Sequence, residues 1–470
     1  MDRDIKHWSE ILAEKAIERS KDKDKVVITG GITTSGPAHL GTVCEFLYPS
    51  TIKKAVESKS KKAEMYFVGD IMDAFDDIPL ELKQYAEQLK PELGKPLVNV
   101  PDPLGCHKSY GEHYLSEVES IMKKMNLDIK VVKASDIYAS GGFDEYTKKY
   151  LENEDKIKEI VARTSFRKIE NMQDWSVIMP ICENCGKIAT TRVIWHDSEN
   201  YEYICDKDVG YTKGCGYRGK SNIKEHKYKL QWRLHWPAWQ MYFNTDIEGA
   251  GVDHMTRGGS KDTSYAILKE FFNREPPVYY KYGFVLFHGK KMSKSKGIGV
   301  TATHILKLIP PELLMYMLVV PELEHNKDID PNGDKLIYAY DDLERIASLD
   351  NPTNRADVKK KFIFNLIIKN LHWHVPFTDI LTTYQIYHDW NQVKKLLNDE
   401  EGVDYLAPYI TNWIEEGYVP DKYKFNIGNN KINEYTEEVK DFINRLNSNM
   451  NPLDIHNLVY AVSKEKNIEP

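Results

Sequence analysis

The chain has 470 residues, 41% of them hydrophobic and 11% aromatic, a composition that excludes a disordered or fibrous protein. At about 100 to 200 residues per domain, this length predicts two or three domains. The net charge of −7 excludes a uniformly basic nucleic-acid binder. Residues 301–470 contain 18 basic and 27 acidic side chains, whereas residues 1–300 contain 46 and 44, so we expect the two parts to have different roles.

The first half of the chain alternates apolar strand patterns with helical ones. The predicted strands are Lys25–Thr29, Ala63–Gly69, Leu127–Ala134, Gln240–Ile247 and Val278–Phe287. Helices are predicted at Leu40–Ser58 and Lys261–Phe272. This alternation is typical of a doubly wound parallel sheet, an α/β fold that binds ligands at the carboxyl ends of its strands.

Two further segments differ from this pattern. Residues 166–229 interrupt the alternation with four closely spaced cysteines, so we predict an insertion there. Beyond about residue 300 we find few strand patterns. Apolar residues there have helical spacing, in stretches that are separated by Asn-Pro pairs, which end helices. We therefore predict an all-α C-terminal domain at 306–470, and a Rossmann-like domain whose two halves are 1–165 and 230–305.

A glycine-rich turn, residues 35–42 with the sequence SGPAHLGT, connects the first predicted strand to a helix. Glycines let a backbone approach a ligand, and the N–H groups at a helix N-terminus bind phosphate oxygens. His39 is placed to donate a hydrogen bond to phosphate charge that develops during a reaction. The motif lacks the Gly-Lys-Ser/Thr ending of a P-loop, and an ordinary turn with a capping histidine is the alternative.

The cysteines of the predicted insertion indicate a metal site. Cys182 and Cys185 are two residues apart before a glycine, and Cys205 and Cys215 follow. Four thiolates form a closed tetrahedral zinc site, which stabilises a fold and leaves no open position for catalysis. This assignment leaves Cys44 and Cys106 as isolated thiols.

Three tryptophans follow the insertion. Trp232, Trp236 and Trp239 are spaced four and three residues apart. Indoles at this spacing are more often part of a core than of a pocket.

A lysine-rich segment, residues 290–297 with the sequence KKMSKSKG, is the second motif for phosphate chemistry. Between Pro276 and Pro310 there are six lysines and no acidic residue. Lysine ammonium groups can neutralise the charge of a departing pyrophosphate, and Ser and Gly allow such a loop to move. A solvated run of lysines is the alternative interpretation.

The two motifs together resemble the "HIGH" and "KMSKS" signatures of the class I aminoacyl-tRNA synthetases. Residues 93–113 (LGKPLVNVPDPLGCHKSYGEH), 68–73 (VGDIMD) and 251–254 (GVDH) are similar to segments of class I lysyl-tRNA synthetase of the archaeal type. The resemblance covers residues from about 5 to about 350. It implies activation of L-lysine by Mg²⁺-ATP and transfer of the lysyl group to the 3′ end of tRNA(Lys).

The resemblance also implies roles for individual residues. The implied catalytic residues are His39, Lys291 and Lys294. The implied ATP-binding residues are Ser35, Gly36, Pro37, His39, Gly41, Thr42, Met292, Ser293, Lys294 and Ser295. The implied lysine-binding residues are Gly31, Thr33, Asp70, Asp73, Trp232, His254 and Tyr280. Because a lysine side chain needs an acidic partner, Asp70, Asp73 and Asp253 are the candidates for its ε-ammonium.

Family members place a helical anticodon-binding module after the catalytic domain, and we expect residues 306–470 to have that role. The aromatic candidates for stacking on anticodon bases are Trp373, Tyr384, Tyr387, Trp390 and Trp413. The charged N-terminus and the short longest apolar run, Leu313–Val320, predict a cytoplasmic protein without a membrane segment. We expect a monomer.

Two other functions stay open at this point. A class I synthetase for another amino acid, such as glutamate, would share both phosphate motifs but need cationic groups in its pocket. A catalytically silent tRNA-binding paralogue would share the fold without the chemistry.

Overall fold

The computed structural model describes residues 5–287, 289–291, 300–425 and 436–468. The β-strands are β1 (Lys25–Ile32), β2 (Lys62–Gly69), β3 (Lys130–Lys133), β4 (Ile178–Pro180), β5 (Thr191–His196), β6 (Asn200–Cys205), β7 (Arg218–Asn222), β8 (Tyr228–Leu230), β9 (Ile247–Gly251), β10 (Val278–Tyr282), β11 (Val285–Phe287), β12 (Lys290–Lys291) and β13 (Lys327–Asp328).

The helices of the first 300 residues are α1 (Trp8–Arg19), α2 (Leu40–Glu57), α3 (Ala86–Leu89), α4 (Tyr110–Lys124), α5 (Ala134–Ala139), α6 (Asp144–Glu152), α7 (Glu154–Ser165), α8 (Trp232–Phe243), α9 (Val252–Met255) and α10 (Ser260–Ala266). The later helices are α11 (Ala302–Leu308), α12 (Pro311–Val319), α13 (Asp334–Ser348), α14 (Arg355–Ile363), α15 (Phe377–Tyr387), α16 (Trp390–Leu397), α17 (Glu400–Glu415), α18 (Glu437–Arg445) and α19 (Pro452–Lys466).

A five-stranded parallel sheet, in the order β10-β9-β1-β2-β3, forms the centre of the first 300 residues. Phe67 and Val68 are neighbours on β2, and because side chains alternate along a strand they belong to different apolar clusters. One cluster contains α1 and α2, and the other contains α7 and α8. Helices therefore cover both faces, which confirms the predicted doubly wound α/β fold.

The strand predicted at Gln240–Ile247 is wrong. Residues 232–243 form α8, which ends where Asn244 takes the left-handed conformation with φ 55°, and the strand begins only at Ile247. Residues 238–243 are apolar except for Gln240, and a short apolar run of this kind does not distinguish a strand from a buried helix. The tryptophan spacing of four and three is the signal that favours the helix.

The cysteine-rich insertion consists of short antiparallel strands. Strands β5, β6 and β7 form one sheet, and β4 and β8 form a two-stranded ribbon that connects the insertion to the part of the chain with the central sheet. Residues 306–470, predicted to be all-α, contain one short strand, β13, which pairs with β11; after it the described residues form helices α13 to α19 without further strands. One apolar cluster runs from Trp8 through α2 to Val419, so the helical part and the sheet share a core.

Among the described residues, no single helix has the length and apolar composition needed to cross a bilayer. The pair α11 and α12 passes that test only when the two are taken together, and they are bent by 114°. Most side chains of α12 are buried in the apolar cluster.

Candidate functional site

A cavity of about 430 Å³ opens at the carboxyl ends of the central strands. Its lining residues are Gly31, Ile32, Thr33, His39, Glu45, Asp70, Asp73, Trp232, Trp236, Trp239, Glu248, Gly249, Ala250 and His254. Six of the seven predicted lysine-binding residues are in this set, together with His39. The position agrees with the rule that open α/β sheets bind ligands where their strands end.

Tyr280 is the predicted residue that does not line this cavity. Its ring lies directly behind Gly249, because a Cβ atom on that glycine would be only 2.1 Å from Tyr280 Cε2. Tyr280 therefore supports strand β9 from behind, and Gly249 presents backbone to the cavity.

His39 caps the N-terminus of α2. Its Nδ1 accepts a hydrogen bond from the backbone N–H of Thr42 over 3.2 Å, so the ring proton of neutral His39 is on Nε2. A Cβ on Gly41 would lie 2.8 Å from His39 Cε1, so only glycine allows the ring this position. His39 thus carries an N–H donor at the end of a helix whose dipole favours anions.

The turn before α2 is held from two sides. The Tyr110 hydroxyl donates to the Ser35 carbonyl over 3.0 Å, and the Ala302 N–H donates to the Ala38 carbonyl over 2.7 Å. Thr301 forms a β-bridge with His39. Thr301, which follows the lysine-rich segment by four residues in the sequence, therefore lies beside the turn.

The lysine-rich segment itself is largely outside the described residues. Met292, Ser293, Lys294 and Ser295 are not described, and Lys291 is described only as backbone in β12. The roles expected for these residues stay predictions.

Asp70 and Asp73 contact a cation of the protein. The Lys229 ammonium donates to Asp70 Oδ2 over 2.8 Å and also to Asp73 Oδ1. Burial alone would raise the pKa of Asp70, but the charges of Lys229 and His235 outweigh it and hold that pKa well below its usual range. The negative charges of the two aspartates are thus already compensated within the protein. The sequence did not indicate this, because Lys229 is at least 156 residues away from both of them.

Two acids that the sequence analysis missed lack such compensation. Within the described part of the chain, Glu45 and Glu248 line the cavity without a salt bridge to Lys, Arg or His. Burial, together with the charge of Glu248, raises the pKa of Glu45 to about 7. Burial likewise raises the pKa of Glu248 to about 7, although Gln240 and Trp239 donate hydrogen bonds to its carboxylate. Acids with raised pKa values in a cavity are typical of functional sites.

The three tryptophans are both core and cavity wall. Trp236 and Trp239 are 2% exposed, and Trp232 stacks on Trp236 with 5.8 Å between ring centroids. The Trp232 indole N–H donates to Ser260 Oγ, and His254 Nδ1 lies 3.4 Å from the same oxygen. The cavity thus has a flat apolar wall, as a long aliphatic chain requires.

The four cysteines of the insertion come together as predicted. The Sγ atoms of Cys182 and Cys215 are 3.6 Å apart, and those of Cys185 and Cys205 are 3.7 Å apart. Thiolates at the corners of a tetrahedron about 2.3 Å from a zinc ion are about 3.8 Å from one another. The geometry and the donor set fit a structural zinc ion.

A second possible metal centre was not anticipated, and it corrects the interpretation of Cys106 as an isolated thiol. Ligand atoms of Asp102, Cys106, His107 and His113 all lie within 4.8 Å of one another. Cys106 Sγ is 3.1 Å from His107 Nδ1, 3.2 Å from His113 Nδ1 and 3.3 Å from Asp102 Oδ2. A mixed carboxylate, thiolate and imidazole set suits a transition metal such as zinc.

The geometry places the N–H donor of His39 beside a cavity that is lined by four carboxylates and three indoles. Comparison with known proteins identifies the family. A profile of the family described as tRNA synthetases class I (K) matches residues 6–368, and this chain belongs to that family.

Curated relatives match over nearly the whole chain. The lysine–tRNA ligase of Archaeoglobus fulgidus is 31% identical over 98% of this chain and 92% of its own length. The lysine–tRNA ligase of Thermoplasma acidophilum is 30% identical over 94% of this chain and 88% of its own length. Lysine–tRNA ligase 1 of Methanosarcina acetivorans is 30% identical over 90% and 78%.

We predict that Glu45→Gln stabilises the protein at alkaline pH. The pKa of Glu45 is about 7 in the folded state and about 4.3 in an unfolded chain. The folded state therefore binds more protons, and stability falls as the pH rises between these values. Urea unfolding should show the variant about 1 to 3 kcal/mol more stable than wild type at pH 8, and nearly equal to it at about pH 4.

The exposed variant Glu152→Gln is the matched control and should show no such pH-dependent gain. An equal effect of Glu45→Gln at both pH values would contradict the assignment of a strained, buried carboxylate.

Proposed function

We propose that this protein is a class I lysine–tRNA ligase. It joins L-lysine to ATP as lysyl-adenylate and transfers the lysyl group to the terminal adenosine of tRNA(Lys). The observation that carries this proposal is the pair of uncompensated acids, Glu45 and Glu248, in a cavity beside the His39 turn. The names of the curated relatives support the same substrate.

Lysine enters this cavity with its side chain first. Glu45 and Glu248 accept the ε-ammonium, and the stem packs on the indoles of Trp232 and Trp239. The register supports this direction, because Glu248 pairs with Thr29, three residues before the end of β1. The α-carboxylate then stays at the mouth, where Thr33, His254 and the ATP site lie.

ATP binds with its phosphates at the turn before α2. The donors are His39 Nε2 and the backbone N–H groups of Ser35, Gly36, Leu40 and Gly41. Lys291 and Lys294 of the lysine-rich segment and Mg²⁺ are the further cations. A carboxylate oxygen of lysine attacks the α-phosphorus, and the bond to the bridging oxygen of the β-phosphate breaks. The catalytic contribution is positioning and stabilisation of the charge on pyrophosphate.

The tRNA contacts both parts of the chain, with residues 306–470 as the anticodon-binding domain. Its acidic balance favours base contacts over phosphate contacts. Trp373 and Trp413 are buried, whereas Tyr387 is 47% exposed and is the aromatic candidate that remains accessible for base stacking. The protein acts as a cytoplasmic monomer in this proposal.

Both cysteine-containing centres hold structural zinc ions. In the insertion the ion is bound by Cys182, Cys185, Cys205 and Cys215, and it stabilises the short strands. In the second centre, bound by Asp102, Cys106, His107 and His113, it orders the loop before α4. Tyr110, at the start of α4, contacts the ATP-binding turn, so the second ion supports that turn.

The proposed function predicts the outcome of an amino-acid panel. Exchange of labelled pyrophosphate into ATP, measured with and without tRNA, should depend on L-lysine and exceed the rate with glutamate at least about 100-fold. Lysine is selected because an acidic pocket binds its ammonium and repels a side-chain carboxylate. Exchange with glutamate would indicate a synthetase of other specificity, and no exchange under either condition would indicate a silent tRNA-binding protein.

Metal analysis tests the two centres independently of activity. Elemental analysis of the purified protein should give about two zinc ions per chain. Cys215→Ser and His113→Ala should each remove one, because each centre needs its full ligand set. Cys44→Ala, at a buried thiol outside both centres, is the control and should retain both. Two ions in either ligand variant would contradict the assignment of that centre.

A further inference from the structure

Lys229 is a buried cation beside the amino-acid cavity, although it belongs to the insertion. Its side chain is 2% exposed, and its ammonium contacts Asp70, which is 1% exposed, and Asp73. Burial opposes its charge, but the two aspartates outweigh burial and raise the pKa of Lys229. Lys229 is therefore charged and fixed between both acids.

The contacts of Lys229 reach the residues that meet the substrate. Asp73 Oδ1 accepts a hydrogen bond from the Lys229 ammonium. Asp73 Oδ2 accepts one from the Thr33 hydroxyl over 2.5 Å. On the other side, Lys229 is in β8, opposite Met179 of β4, and β4 leads to the first cysteine pair. One side chain thus connects the ribbon of the zinc-binding insertion to the cavity.

The sheet register separates acids of the cavity into two levels. Glu248 lies beside Thr29. Asp70 follows Gly69, which pairs with Ile32 at the end of β1, and Asp73 accepts a hydrogen bond from Thr33, the next residue. Three residues along a strand span about 10 Å, so Glu248 is at a deep level and the two aspartates are at the level of the strand ends, which we call the mouth.

We propose that Lys229 is a positioning residue that fixes the direction in which lysine binds. This inference rests on the proposed function. By neutralising Asp70 and Asp73, it makes the mouth of the cavity acceptable to the α-carboxylate, so negative charge remains effective only at the deep level. The substrate ammonium is then drawn to the deep level, and the reacting carboxylate stays near His39.

The test compares lysine with cadaverine, the diamine that has lost the carboxylate. In Lys229→Met the mouth carries two uncompensated aspartates, which repel a carboxylate and attract a second ammonium. We expect the KM for lysine in pyrophosphate exchange to rise about tenfold or more, while the inhibition constant of cadaverine falls. A merely structural loss would weaken both ligands together, and that parallel loss would overturn the proposal.

Two further variants keep the test decisive. Lys229→Arg retains the charge, so the ratio of the KM for lysine to the inhibition constant of cadaverine should stay within about threefold of wild type. This comparison remains available even if Lys229→Met does not fold. A shift of that ratio towards cadaverine in the arginine variant would overturn the proposal. Lys227→Met removes an exposed lysine that pairs with Glu183 and Glu225 and should leave both constants unchanged. Wild-type protein without lysine-dependent exchange would instead refute the proposed function itself.

Discussion

The cost of burying carboxylates at the end of a parallel sheet is the constraint on which the site depends. Four acids line one cavity, and an ionised carboxylate away from water is unfavourable unless a cation is near. The protein compensates Asp70 and Asp73 with Lys229. It leaves Glu45 and Glu248 with pKa values raised to about 7. In the proposed function, the substrate ammonium supplies the missing charge.

The two candidate metal centres lie outside the cavity, but each is next to an element that contacts it. The cysteine cluster lies next to the ribbon that carries Lys229. The Asp102 cluster lies next to α4, whose first residue, Tyr110, donates a hydrogen bond to the Ser35 carbonyl in the turn before α2. Each candidate metal centre thus lies beside one element that contacts the site, although neither contributes a ligand to the cavity.

Much of this could be predicted from the sequence, because the signals were local. The strand-to-helix turn at His39, the cysteine spacing and the strand alternation each lie within a short stretch of chain. The acids of the pocket were the harder problem. Glu45 is inside a helix and Glu248 inside a strand, where an isolated acid gives no motif, and only the register brings them together. Asp70 was predicted from its position at a strand end, but its pairing with Lys229 depends on the insertion folding back.

Proton release on lysine binding is the most direct test of this account. If the substrate ammonium completes the pair of buried acids, binding near pH 7 must ionise them and expel a proton. Titration calorimetry of lysine into the full chain, in buffers of different ionisation enthalpy, should report release of about half a proton or more per lysine. Binding without proton release at pH 7 would contradict the claim that Glu45 and Glu248 receive the ammonium.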